Sequence, residues 1–213
     1  MYSVKSKNNN MRFDLQIIAS WIKPGSRVLD LGCGEGDLLF FLKQKKRVVG
    51  TGIDRVETNV AQGIEKGLTI LHGDINEEIL DYQDNNFDYV ILSQTLQQVY
   101  EPATLIRSLL RIGKKGIVSF PNFSYWSVRF QLLLSGYAPI TKQLPYEWYN
   151  TPNIRVITLK DFRKFSKETG CKIIKEVAIN TQNQDRRGKI ITFMPNLFAT
   201  YGIFLIEKTD QND

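Results

Sequence analysis

The sequence predicts an α/β fold, a mostly parallel sheet with helices packed on both faces. Three observations predict it. Short runs rich in Val, Ile and Leu alternate with segments of helical periodicity. The first run passes directly into a glycine-rich stretch, "VLDLGCGEGD" from Val28 to Asp37, where a strand should turn into a helix. Acidic residues, Asp54 and Asp74, then stand at the ends of the second and third runs. Parallel strands joined by helices wind with right-handed crossovers. Ligands of such folds sit at the carboxyl ends of the strands, at the point where the strand order reverses.

The elements follow in order. Met11 to Ile22 carries Phe13, Leu15, Ile18, Trp21 and Ile22 at a spacing nearer 3.6 than 2, which predicts a helix ending before Pro24 and Gly25. Arg27 to Leu31 reads as a buried strand and Gly36 to Lys45 as a helix with Leu38, Leu39, Phe41 and Leu42 apolar. Arg47 to Asp54 is a second strand, Asn59 to Gly67 a short helix and Thr69 to His72 a third strand. The polar turn "DYQDNN" leads into a fourth strand, Phe87 to Ser93. Pro102 to Ile112 is a helix and Gly116 to Pro121 a fifth strand. Tyr125 to Ser135 reads as an amphipathic helix with Trp126, Phe130, Leu133 and Leu134 at helical spacing. The stretch "GYAPITKQLPYEWYNTPNI", with three prolines and four aromatic residues, cannot stay regular for long and suggests a packed surface segment. Thr158 caps a further helix closed by Gly170. "CKIIKEVAI" and "ATYGIFLIEK" read as two closing strands. The expected organisation is a flexible stretch over residues 1–10, one domain over 11–208 with a helical and looped cap insertion at 123–158 after strand five, and a frayed tail at 209–213.

With 213 residues, the chain can build one domain with a proper core. Its 42% hydrophobic and 23% charged content is ordinary for a soluble protein. No apolar run approaches the ~20 residues of a membrane span, and the polar start lacks a signal peptide's apolar centre. A cytoplasmic, non-membrane protein is expected. The net charge of +6 comes from small scattered clusters, such as Lys43, Lys45, Lys46 and Arg47, and from Arg186, Arg187 and Lys189. Scattered clusters read as solvated faces, so a nucleic-acid partner is not expected. Two cysteines, Cys33 and Cys171, call for no disulfide framework. No His/Cys grouping has metal-ligand spacing, and no metal is expected.

The glycine loop differs from a dinucleotide fingerprint. Gly32, Gly34 and Gly36 are spaced G-x-G-x-G, so the third glycine arrives one residue early. Cys33 sits between the first two, where a small residue suffices. Asp30, Glu35 and Asp37 flank the loop. A pyrophosphate wants backbone N–H groups at a helix N-terminus, and carboxylates beside it repel. A ligand with an ammonium and a sulfonium gains from a nearby acid. That chemistry points to S-adenosylmethionine, or its product S-adenosylhomocysteine. Asp54, ending strand two, can accept from both ribose hydroxyls. Asp74, ending strand three, can accept from the adenine amino group. Ser93 and Gln94, ending strand four, complete the candidate cofactor set. Structural roles compete with these: Asp30 could cap a turn, and Asp74 could N-cap a helix.

A methyl acceptor would face the ends of strands four and five, "SQTLQQV" and "FPNFSYW". The enzyme in such a transfer mostly supplies alignment, and a base is needed only when the acceptor must lose a proton. No obvious base is present. His72, the only histidine, lies beside Asp74 at the adenine end. Gln94, Gln97 and Gln98 can hydrogen-bond but do not take a proton usefully. Tyr125, Tyr137, Tyr146 and Tyr149 are expected to pack. Gln98, Asn122, Trp126, Tyr146, Trp148 and Tyr149 form a candidate substrate or partner surface in and around the cap, because Tyr and Trp are enriched in interface hot spots.

These residues resemble the class I S-adenosylmethionine-dependent methyltransferase fold over nearly the whole chain. The resemblance implies a Rossmann-like, seven-stranded sheet ordered 3-2-1-4-5-7-6 with strand seven antiparallel. "ILSQTLQQV", followed by "SFPNFSYWSVRFQLLLSGYAPITKQLPYEWYNTPNIRVITLKDF" and "PNLFATYGIFLIEK", is more particular, and resembles the methionine biosynthesis protein MetW family from about Phe13 to Lys208. Asp54 stands where a glutamate is commoner, keeping the carboxylate on a shorter reach. The resemblance implies a role in methionine biosynthesis and support of homoserine O-acetyltransferase, the enzyme that activates homoserine. It establishes no methyl acceptor. An accessory protein that binds the cofactor, a small-molecule methyltransferase and, third, an RNA methyltransferase all remain open.

Overall fold

A computed structural model describes residues 11–142, 144–182 and 185–209. The stretch expected to be flexible, 1–10, and the tail from 210 lie outside the described residues. Thr209 continues the last strand's neighbourhood, its N–H donating to the Gly170 carbonyl at 3.2 Å.

The chain runs α1 (Phe13–Trp21), β1 (Arg27–Leu31), α2 (Asp37–Lys46), β2 (Val49–Asp54), α3 (Glu57–Glu65), β3 (Thr69–His72), α4 (Ile75–Glu78), β4 (Tyr89–Ser93), α5 (Pro102–Ile112), β5 (Gly116–Pro121), α6 (Trp126–Ser135), α7 (Leu159–Glu168), β6 (Cys171–Asn180), β7 (Lys189–Ile190), α8 (Pro195–Phe198) and β8 (Tyr201–Lys208). The sheet order is β3-β2-β1-β4-β5-β8-β6-β7. Strands β1 to β5 pair in parallel, whereas β8 runs antiparallel to both β5 and β6. The sheet therefore has eight strands, one more than the seven the sequence led us to expect. The extra member is the two-residue β7, paired with the end of β6 through Ile179 and Asn180. Without it the expected order is intact. Two residues carry no readable periodicity, which is why β7 was not visible beforehand.

Period-two alternation sorts the strand side chains onto two faces. Leu29, Leu31, Val90, Leu92 and Phe120 join one buried cluster with Leu105 and Leu109 of α5 and Leu159 and Phe162 of α7. Val28, Ile91, Ile117 and Ile203 join the other with Ile18 of α1, Leu38, Leu39 and Leu42 of α2 and Val60 of α3. Phe120, Phe162 and Phe204 lock the first face, with ring centroids 4.5 to 5.5 Å apart. Burying one such ring stabilises by roughly 2–3 kcal/mol.

Helix ends follow local chemistry. Thr158 and Asp161 form a reciprocal capping box on α7, and Gly170 follows its C-terminus at φ 67°, as the sequence indicates. Lys46 closes α1 from a distance, its Nζ donating to the carbonyls of Ala19 and Ile22 at 2.6 and 2.5 Å. At least part of the basic run in α2 is thus structural.

The segment after β5 departs from the sequence reading. α6 forms, but only Val128 of it is buried. The stripe of Trp126, Phe130, Leu133 and Leu134 lies in solvent. Helical spacing states which side chains share a face; it does not state that anything covers the face. Beyond α6 the chain has no regular element until Leu159. It is tied back by Arg155, whose backbone N–H donates to the Gln97 carbonyl at 3.0 Å and whose Nη2 donates to the Tyr100 carbonyl at 2.5 Å.

Candidate functional site

Strand order reverses between β1 and β4, and a cavity of about 400 Å³ opens at that end of the sheet. This is the volume range of small-molecule sites. Its walls come from the ends of four strands and the loops after them: Gly32 and Gly34 after β1, Asp54 to Val56 at β2, Gly73 to Asn76 after β3, and Ser93 to Thr95 with Gln98 to Tyr100 at β4, with Arg12 and Asn59 completing it.

The glycine loop is bent by its backbone and pinned by a carboxylate. Gly32, Gly34 and Gly36 have φ of 74°, 56° and 76°, the left-handed region that costs other residues roughly 1–2 kcal/mol. At Gly32 a side chain is also excluded by space, since a Cβ would stand 2.6 Å from Thr95 Oγ1. Asp54 holds the loop down: its Oδ2 accepts from Gly34 N–H at 2.7 Å. Its Oδ1 accepts from Val56 N–H at 3.0 Å and Asn59 Nδ2 at 3.1 Å. A carboxylate has about four lone-pair positions, so Asp54 keeps accepting capacity beside its structural duty.

Asp74 shows the same double character. Its Oδ1 caps α4, accepting from the backbone N–H and the Nδ2 of Asn76, each at 2.8 Å, while the residue lines the cavity. His72 does not line it; its Nε2 lies 3.1 Å from the Arg55 carbonyl oxygen.

Asp30 is enclosed beneath the loop and does not itself line the cavity. Its Oδ1 is buried without a hydrogen-bond partner. Burial pushes its carboxyl up to about 7, the Arg12 guanidinium opposes this, and Asp54 adds to it. An orphaned buried carboxylate under a glycine loop fits a ligand that brings a positive charge. Cys33 packs against Gly52, also off the cavity, and burial together with Asp30 and Asp54 pushes its thiol up, which disfavours the thiolate.

Reasoning from sequence named Ser93 and Gln94 on the other wall but missed Arg12. Arg12 forms a two-pronged ion pair with the buried Asp14, at 3.1 and 2.9 Å, and Gln94 Nε2 donates to the same carboxylate at 2.7 Å. Burial works against the Arg12 charge, but Asp14 outweighs it and the guanidinium is held above its ordinary value. Gln94 adopts φ 54°, an unfavourable conformation for a side-chain-bearing residue. It is over-determined: its N–H donates to the Ser119 carbonyl at 2.8 Å, and its own carbonyl accepts from Gln97 Nε2 at 2.6 Å. Ser93 Oγ sits 3.0 Å from Ser119 Oγ. Nothing near Arg12 in the chain signals this wall, because its fixed point, Gln94, is 80 residues from Asp14.

Of the expected set, the fold brings Gly32, Gly34, Asp54, Asp74, Ser93, Gln94 and Gln98 to one cavity. Gly36 heads α2 instead. The acids thought to face the ligand from the loop's far side, Glu35 and Asp37, pair with Lys66 at 3.4 and 2.8 Å and lie outside it. The cap residues are elsewhere. Asn122 is buried, its Nδ2 donating to the Asn196 and Ala199 carbonyls at 3.1 and 2.9 Å. Trp126, Tyr146, Trp148 and Tyr149 are exposed and touch no part of the cavity wall. No imidazole or thiol lines it. No cluster of His, Cys, Asp or Glu among the described residues could hold a metal ion, and no described helix is long and apolar enough to cross a membrane.

Comparison with known proteins bears on this geometry. The family described as methionine biosynthesis protein MetW matches residues 12–206. A bifunctional methionine biosynthesis protein, MetXA/MetW, from Rhodopirellula baltica is 34% identical over 78% of this chain, and the chain spans only 28% of that relative's length. Among solved structures, a SAM-dependent methyltransferase from Thermotoga maritima has a TM-score of 0.66 at 17% identity, covering 92% of this chain and 88% of that one. The [4+2]-cyclase SpnF has a TM-score of 0.64 at 18% identity, covering 92% and 79%. Both share the fold, yet one is named for a different reaction, so the fold alone does not designate a methyl transfer.

Proposed function

Since the chain belongs to the MetW family of methionine biosynthesis proteins, we propose that it is a cytoplasmic accessory protein of the methyltransferase fold that binds S-adenosylmethionine or S-adenosylhomocysteine and supports homoserine O-acetyltransferase. The observation that carries the ligand half is the cavity itself, where a glycine loop and two strand-end acids converge, with the orphaned carboxylate of Asp30 buried behind the lining. Asp54 accepts from a ribose hydroxyl with its remaining lone-pair position. Asp74 takes the adenine amino group. Asp30 supplies negative charge beneath the ammonium, and Arg12 lies where a carboxylate would gain. When bound, S-adenosylmethionine brings a methyl group activated by a sulfonium. The lining residues bind and orient; none of them is an evident proton acceptor.

The partner half is supported by the relative named for both MetXA and MetW. Binding the pathway's end product would report methionine status to the enzyme that activates homoserine, a coupling between two sites.

Calorimetry with S-adenosylmethionine on Asp54→Ala and Gly34→Val tests the ligand half; undiminished binding in both overturns the assignment. Co-purification with homoserine O-acetyltransferase, and its rate with and without this chain, tests the partner half. A second reading, methyl transfer to a small molecule, is favoured by the sequence relatives that are named as methyltransferases. Release of S-adenosylhomocysteine in the presence of cell extract would support it.

A further inference from the structure

The exposed apolar face of α6 is not used by the cavity. Leu133 and Leu134 are 78% and 70% exposed, and Trp126 and Phe130 stand beside them in solvent. The face extends past the helix. Asn196 Nδ2 donates to Ser124 Oγ at 3.0 Å, which ties the α8 turn, preceded by the exposed Phe193 and Met194, to the residues that lead into α6. The exposures of these six side chains run from 47% to 78%, so together they present on the order of several hundred Å², the scale of the largest apolar patch on an ordinary monomer, ~300–600 Å², and a substantial part of one side of a standard interface, ~800 Å².

The face is also mechanically joined to the cavity. The strap that follows α6 is held by Arg155 to the carbonyls of Gln97, Val99 and Tyr100. Val99 and Tyr100 line the cavity, and Gln97 bonds Gln94, which lines it too. A protein that reports a bound ligand to a second protein needs its ligand wall and its docking surface on one connected unit, and this is such a unit.

Resting on the functional reading above, we propose that the face formed by α6 and the turn at residues 193–198 is the docking surface for the acyltransferase, with Phe130, Leu133 and Leu134 at its centre. An acyltransferase is the occupant because a relative of this chain is named for both proteins and the chain accounts for only 28% of its length. Tethering of that kind holds two surfaces at millimolar effective concentration, and in the untethered chain the contact must stand on its own, which a patch of this size allows.

The test uses the full chain and purified homoserine O-acetyltransferase from the same organism. Complex formation, acyltransferase rate, S-adenosylmethionine affinity and thermal midpoint are measured for the natural chain, for Phe130→Glu with Leu133→Glu, and for Phe193→Glu. The expected result is a complex weakened at least 30-fold in the double variant and at least 3-fold in Phe193→Glu, with loss of the rate effect. S-adenosylmethionine affinity should stay within 2-fold and the thermal midpoint should not move. A complex with the natural chain that survives both variants overturns the surface and leaves the functional reading standing. No complex with the natural chain overturns that reading and the surface with it. A natural dimer that the substitutions split, with the acyltransferase complex unaffected, makes the face a self-association surface. Loss of S-adenosylmethionine binding in the variants makes it a lid over the cavity. Either result overturns the proposal.

Discussion

Two regions at the carboxyl end of the sheet follow opposite rules. At the glycine loop, the backbone is forced into the left-handed region and almost every polar atom is engaged, with Asp54 alone accepting three hydrogen bonds. In α6 the backbone is ordinary and a row of apolar side chains lies uncovered. The loop is costly to build and gains nothing from solvent; the helix is easily built and leaves its hydrophobic gain unrealised. The difference teaches where constraint resides. The loop's backbone is held down within this chain, whereas nothing among the described residues covers the α6 face.

The largest effect should come from breaking the loop at its tightest point. Gly32→Val meets both the positive φ and Thr95 Oγ1, and should lower stability by roughly 2–4 kcal/mol. That corresponds to about 2–4 °C of thermal midpoint per kcal/mol for a chain of this size. Gly34→Ala has the same backbone penalty but opens into free space, and should cost only about 1–2 kcal/mol. Equal losses in the two variants, read by thermal and denaturant unfolding, would mean that the Thr95 contact does not shape the loop.

Asp30→Asn sharpens the contrast between stability and binding. The Asp30 carboxyl is raised to about 7 by burial, then modulated by Arg12 and Asp54. Its ordinary value is about 3.9. The folded state therefore binds more protons than the unfolded state between about pH 4 and 7, and stability falls as pH rises through that window. The asparagine variant escapes this loss. It should be more stable than the natural chain by up to about 4 kcal/mol at pH 8 and differ little at pH 4. The same substitution should weaken S-adenosylmethionine binding about 10-fold at pH 8, because it removes the charge opposite the ligand's cation. A variant that is stabler and binds equally well would deny Asp30 its role.

The natural chain should also bind S-adenosylmethionine up to about 10-fold more tightly at pH 8 than at pH 6, since ionised Asp30 is the form the cation favours. Methylthioadenosine, which lacks the ammonium and the sulfonium, should show no such trend. Calorimetry at three pH values with both ligands separates Asp30 from general changes in the protein.

How far the molecule could be read beforehand follows from the same division. The glycine loop, Asp54 and Asp74 were legible because strand ends encode them locally: a short apolar run, then a glycine or an acid. Even there the reading was incomplete. Glu35 and Asp37 looked like part of the ligand's field until folding brought Lys66 to them from 31 and 29 residues away. Arg12 was illegible for the same reason, since its position depends on a buried carboxylate that Gln94 secures across 80 residues. Short elements, α4, α8 and β7, hold too few residues to show a period. The face of α6 was the opposite case. Its spacing was read correctly, but burial belongs to the whole fold, and the fold leaves that face outside.

The smallest effect is expected within α6 itself, and it tests whether the helix is anchored by one residue. Val128 is its only buried member, set near Tyr125 and Leu144 against the end of β5. Val128→Ala removes buried methyl groups and should cost about 1–2 kcal/mol. Leu134→Ala, on the exposed side, loses no packing within this chain and gains a little helix propensity, so it should stay within about 0.5 kcal/mol of the natural protein. The pair isolates a single variable, because both substitutions shorten an aliphatic side chain in the same helix. If Leu134→Ala proves as destabilising as Val128→Ala for the chain alone at low concentration, the face is already covered by this chain and is not available to a partner. If its cost appears only as protein concentration rises, the covering surface is a second copy, since only an interface gained by association makes stability depend on concentration.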